Sequence, residues 1–187
     1  MMCIIDCGTS YIHFLQKDLR EFDYTSKVVN LEEIEKNSFK FISGIIISGS
    51  PILLTKTDHR KYLNLFSFIK TTSIPILGIC FGHQIIGLLY GADISIGKKI
   101  NKKESIDFVK SDVLFSNIEN PSLFQEEHSE HITLPKNFFL LAKSKSCENE
   151  AMKHKSKLIY GVQFHPEVSS NNGKRVLENF LKLCSKK

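Results

Sequence analysis

The chain has 187 residues, 42% of them hydrophobic, with a net charge of +5 and a pI near 8.9. That length supports one well-buried domain over residues 1–187 and is too short for two of ordinary size. It contains no apolar run of the about 18–20 residues that span a membrane, no Gly-rich phosphate loop, and an opening Met1-Met2-Cys3-Ile4-Ile5-Asp6 that reads as a strand rather than a secretion signal.

Five scattered cysteines, an odd number, argue against a disulfide framework and for a reducing compartment, so a soluble cytoplasmic protein is expected. Cys3 and Cys7 have no neighbouring histidine, and no metal site is expected. Lys98, Lys99, Lys102 and Lys103 cluster, but Glu104 and Asp107 follow and no aromatic residues are interleaved for base stacking. The lysines read as a solvated face or a rim for an acidic protein partner, with neither nucleic acid nor membrane as ligand.

Along the chain, short β-branched runs alternate with amphipathic stretches. The pattern predicts a strand over Cys3–Cys7, a helix near Ile12–Phe22, a strand over Ser26–Val29, an acidic helix start at Leu31–Glu35 and a strand over Phe41–Ile47. A helix over His59–Lys70, a strand over Ile74–Ile79 and a helix from Gly82 follow. From Ile94 to Phe139 the pattern breaks into short β-like pieces and polar turns, as in a small antiparallel insertion on one edge. A strand over Leu158–Phe164 leads to a closing helix over Gly173–Leu183 that carries Val176, Leu177, Phe180, Leu181 and Leu183 largely on one face. Cys147 reads as a loop residue and Cys184 as helix packing. The alternation is α/β in character: a mostly parallel central sheet flanked by helices.

Three motifs sit at strand ends. Gly78-Ile79-Cys80-Phe81-Gly82-His83-Gln84 places a cysteine where an apolar strand turns into a helix. Such a turn strains the backbone and exposes its side chain above the sheet, and flanking glycines allow the tight bend. The helix N-terminus favours a thiolate there. Taken alone, Cys80 also reads as a packed core cysteine. Gly161-Val162-Gln163-Phe164-His165-Pro166-Glu167 supplies an imidazole and, two residues on, a carboxylate to orient it, although in isolation it is also an ordinary loop ion pair. Ser48-Gly49-Ser50-Pro51 is a sharp turn at the carboxyl end of a core strand, where ligands of open α/β sheets bind. A backbone N–H of this turn and that of Phe81 are placed to form an oxyanion hole.

Together the ordered G-x-C-x-G-x-Q, HPE and strand–SGxP motifs resemble the class I glutamine amidotransferases over essentially the whole chain. The resemblance implies a flavodoxin-like sheet of the class I glutaminase type, Cys80 as nucleophile, His165 as general acid/base and Glu167 as its orienter. It further implies Phe81 and Ser50 as oxyanion N–H donors, Gly49, Gln84 and His128 around the glutamine, and no cofactor or metal in this chain. Ile4-Ile5-Asp6-Cys7-Gly8-Thr9-Ser10-Tyr11, Leu141 to His154, and His165-Pro166-Glu167-Val168 are similar to the members that serve GMP synthase as a separate subunit. That similarity implies a partner ATP pyrophosphatase subunit carrying ATP and Mg²⁺. A glutaminase for anthranilate or aminodeoxychorismate synthesis, a weakened regulatory member and a γ-glutamyl peptidase are the other readings. Ser50 stands where the family carries a second glycine, and Glu126 to His131 where the GMP synthase members read more like W-x-S-H-x-D.

Overall fold

The β-branched runs Met2–Asp6 (β1), Ser26–Asn30 (β2), Gly44–Ile47 (β3), Ile76–Ile79 (β4) and Ile159–Val162 (β9) form the parallel half of one sheet in the order β2-β1-β3-β4-β9. This computed structural model of the chain describes residues 1–36 and 38–185. Register is set by apolar pairs such as Ile4 with Ile46, Ile46 with Leu77, and Ile79 with Val162. Successive side chains alternate between two faces, each buried under helices.

One face carries Ile4, Ile46, Leu77 and Val162 under α1 (Ile12–Glu21) and α4 (Ser170–Cys184), which contribute Leu15, Leu19, Val176, Leu177 and Phe180. The other carries Ile5, Ile45, Ile47 and Ile159 under α2 (Arg60–Leu65) and α3 (Phe81–Leu89), with Phe66, Ile69, Phe81, Ile85 and Ile86. Burial of one such side chain contributes about 1.5–3 kcal/mol. Cys3, Cys7, Cys80 and Cys147 are buried free thiols. Among the described residues no helix is long and apolar enough to cross a membrane.

The remaining strands are β5 (Ile94–Phe108), β6 (Ser122–Ile132), β7 (Phe138–Lys143) and β8 (Ala151–His154), which extend the sheet from β9 in the order β8-β7-β5-β6 with antiparallel pairing. The insertion is therefore larger than expected, and its strands longer. Residues 95–99 of β5 are exposed on both faces, so their side chains show no alternation.

Other boundaries shift for local reasons. The Phe41–Ile47 strand starts only at Gly44, because Phe41 takes φ +65° in an exposed turn. Helix His59–Lys70 breaks after Leu65 into a 3₁₀ turn over Ser67–Lys70, whose tighter period buries both Phe66 and Ile69. Leu31–Lys36 is likewise a 3₁₀ turn, and the closing helix begins at Ser170.

Candidate active site

Neighbouring strands β4 and β9 run parallel with Gly78 beside Gly161, so the chain segments leaving their carboxyl ends lie together. The first delivers Cys80 and the second His165 and Glu167. Cys80 has φ +49° and ψ −102°, a conformation costly for a residue with a Cβ, of order 1–3 kcal/mol. The flanking glycines do not carry that strain, since neither has positive φ; they permit contact instead. A Cβ on Gly78 would lie 2.5 Å from the backbone of Gly82, so the first turn of α3 could not pack so closely on the strand.

Cys80 is 6% exposed at the N-terminus of α3. Its sulfur lies 3.7 Å from the Glu127 carbonyl and 3.5 Å from Nε2 of Gln163, and it stands close enough to the His165 ring to interact with it electrostatically. His165 Nδ1 is 2.9 Å from Glu167 Oε1, so the proton on Nδ1 points at the carboxylate and Nε2 is left for the reaction. The backbone around the imidazole is fastened on both sides: its N–H donates to the Gln125 carbonyl at 2.9 Å and its carbonyl accepts from Ser169 Oγ at 2.6 Å. Tyr11 packs its ring edge-on against the imidazole at 5.5 Å.

Burial by itself would push the His165 pKa down; the Glu167 carboxylate and the Cys80 sulfur outweigh it and hold the value well above the usual 6.5. A raised folded-state pKa contributes stability that is fully present below about 6.5 and is lost as pH rises through the folded value. Glu167→Gln is therefore expected to lower the His165 pKa in an NMR titration and to remove stability below pH 6.5. An unchanged imidazole titration would show that Glu167 does not set it.

The loop after β3 faces this pair. Ser48 Oγ accepts from the Cys7 N–H at 2.9 Å and donates to the Gly49 carbonyl at 2.9 Å, which fixes the turn. A Cβ on Gly49 would stand 2.8 Å from His165 Cε1, so the position needs a bare α-carbon because the imidazole lies on it. Ser50 is not in the left-handed region, and its Oγ accepts from the Ile52 N–H at 3.2 Å. The Phe81 N–H is the first of α3 and has no intrahelical acceptor, while the ring packs edge-on against Tyr62.

These groups open onto a cavity of about 590 Å³ lined in part by Tyr11, Ser50, Cys80, Gln84, Lys99 and Glu127. That volume is ordinary for a small-molecule site. Gln84 donates to the Glu130 carbonyl at 3.0 Å and to Gln163 Oε1 at 3.1 Å, so its amide nitrogen is spent on the protein. His128 borders the cavity, but Nδ1 meets the Glu130 carbonyl at 3.1 Å and Nε2 lies 3.2 Å from Glu126.

Several neighbours of the site were not singled out from the sequence. Gln163 is fully buried two residues before His165; a polar residue inside an apolar strand was the available signal. Tyr11 donates to Glu127 Oε2 at 2.6 Å, which pushes its phenol up to about 12 and keeps it a donor. Glu130 accepts from the N–H groups of Leu54 and Thr55 at 2.8 and 2.7 Å and from Thr55 Oγ1 at 2.5 Å, clamping the loop that lines the cavity. These partners are 75–116 residues apart, and no local motif marks them.

Chemically, a sulfur at a helix N-terminus, an imidazole beside it and a carboxylate behind the imidazole suit acyl transfer through a thioester. The family model for glutamine amidotransferase class-I matches residues 3–184. A subunit of the glutamine-hydrolysing GMP synthase of Methanococcus aeolicus is 42% identical over 191 residues, covering 98% of this chain and 97% of that protein. Its counterpart in Methanocaldococcus jannaschii is 39% identical over 194 residues, covering 100% and 99%. The crystal structure of a candidate GMP synthase subunit from Thermoplasma acidophilum superposes with a TM-score of 0.87 at 29% identity, covering 98% of this chain and 94% of that one. A glutamine amidotransferase from Thermotoga maritima shares the fold, with a TM-score of 0.82 at 17% identity over 100% and 98% of the two chains.

Proposed function

We propose that this chain, which belongs to the class-I glutamine amidotransferase family, is the glutaminase subunit of a GMP synthase and passes ammonia to a separate synthase subunit. The observation that carries the chemistry is Cys80, held in a strained turn at the N-terminus of α3 beside the His165–Glu167 pair.

In this reading the Cys80 sulfur attacks the side-chain amide carbon of glutamine. The Phe81 and Ser50 N–H groups stabilise the tetrahedral oxyanion, a contribution of about 10²–10³ in rate per donor. His165 transfers the thiol proton to the leaving nitrogen, and the C–N bond breaks to release ammonia and leave a glutamyl thioester. It then takes a proton from water, whose oxygen attacks the thioester carbon and expels the thiolate as glutamate forms. Glu167 keeps the imidazole oriented and stabilises its cationic form. Glu127 and Lys99 border the cavity with opposite charges, complementary to the ammonium and carboxylate of a free amino acid. ATP and Mg²⁺ belong to the partner, where XMP becomes GMP; this chain requires no cofactor for hydrolysis.

The test is GMP formation from XMP, ATP, Mg²⁺ and glutamine by this chain mixed with the synthase subunit from the same source. Glutamine-dependent GMP is expected, at a rate above that of either protein alone. GMP formed from free ammonia but not from glutamine would overturn the assignment.

A further inference from the structure

Away from the triad, the inward face of β6 carries Glu126 and His128 two residues apart, and Glu150, the residue before β8, reaches the same point. One ligand atom from each lies within 4.8 Å of the others. Glu126 and Glu150 are 0% exposed, and His128 is 8% exposed.

Four atoms in this cluster are shut off from solvent and receive no hydrogen bond from the surrounding protein: both oxygens of Glu126, Oε2 of Glu150 and Nε2 of His128, these carboxyl oxygens having only each other and the imidazole to face. All four carry lone pairs. His128 Nδ1 meets a carbonyl and must therefore be the protonated nitrogen, which leaves the bare Nε2 turned toward Glu126. With Glu126 ionised, that lone pair faces a carboxylate oxygen at 3.2 Å, a repulsive contact, and the second buried carboxyl group, Glu150, adds to the cost.

A cation would reverse each of these penalties. Two atoms bound at about 2.0–2.1 Å to one tetrahedral ion lie roughly 3.3 Å apart, close to the Nε2–Oε2 spacing. The outer bonds match as well: metal-bound imidazoles usually donate their other N–H to a carbonyl, as His128 does to Glu130, and ligating carboxylates are themselves hydrogen-bonded, as Glu150 Oε1 is by Ser144 Oγ at 2.6 Å.

We propose that Glu126, His128 and Glu150 form a buried binding site for a divalent first-row cation of the zinc class, fastening β6 to the segment between β7 and β8. The site is structural rather than catalytic. It holds the strand whose Glu127 carbonyl faces Cys80 and whose Glu130 clamps the Leu54–Thr55 loop.

The test uses the full chain, stripped with chelator and titrated with Co²⁺ as a spectroscopic substitute for Zn²⁺. One equivalent is expected to bind with d–d absorption and no thiolate-to-cobalt charge-transfer band. The spectrum should persist in Cys80→Ala, while Glu126→Gln and Glu150→Gln each weaken binding more than tenfold. Zn²⁺ should raise the Tm of the stripped wild-type chain, and Ser144→Ala should weaken binding in case either Gln variant fails to fold. No saturable binding, a thiolate band, loss of the site in Cys80→Ala, or full binding by a folded Glu150→Gln protein would each overturn the proposal.

Discussion

Cys80→Ala is expected to lower glutamine hydrolysis by more than about 10⁴-fold, because the thioester route has no substitute nucleophile at that position. Ammonia-dependent GMP formation by the mixed subunits should be unaffected, since that reaction bypasses the glutaminase. The fold should survive: alanine keeps the Cβ and forfeits the sulfur's contacts with Glu127, Gln163 and the His165 ring. A companion variant separates chemistry from strain. Cys80→Gly should be equally inactive yet more stable than Cys80→Ala by about 1–2 kcal/mol, because glycine adopts positive φ without penalty. Steady-state ammonia release and denaturant unfolding measure the two effects. Residual turnover in Cys80→Ala would remove the cysteine mechanism, and equal stabilities would remove the strained elbow.

Gly173→Ala carries the largest expected effect on stability. A glycine within a helix is ordinarily improved by alanine, by up to about 1 kcal/mol. Here the sign reverses. A Cβ on Gly173 would stand 1.8 Å from the Pro166 carbonyl oxygen and 2.7 Å from its carbon, both backbone atoms of the His165–Glu167 turn. Neither can rotate away, so α4 or the turn must shift. A destabilisation of more than about 3 kcal/mol is expected. At about 2–4 °C per kcal/mol for a chain of this size, Tm should fall by at least roughly 6 °C. The shift also displaces His165 relative to Cys80, so kcat should drop even where the protein remains folded. A stable and fully active Gly173→Ala protein would show that α4 does not brace the catalytic turn.

The parallel half of the sheet was legible because its information is local. Ile45-Ile46-Ile47 and Ile76-Leu77 are short apolar runs beside helices that bury one stripe, and neighbours within a few residues suffice to announce them. Cys80, His165 and Glu167 were legible for the same reason, since each lies in a motif of seven residues at a strand end. The strained turn at Cys80 is not owed to its glycines, which serve close packing instead. The antiparallel half was poorly legible, because a strand wet on both faces at residues 95–99 carries no hydrophobic alternation.

What the sequence by itself determined is thus the α/β order and the candidates Cys80, His165 and Glu167, both consequences of backbone preferences and side-chain chemistry over a few residues. What only the tertiary structure decided is which distant polar groups meet. Glu130 finds Thr55, Tyr11 finds Glu127, and Glu126 and His128 find Glu150. Those meetings depend on which strands become neighbours and in what register, a result of burying the whole apolar set at once, and no local stretch of chain encodes it.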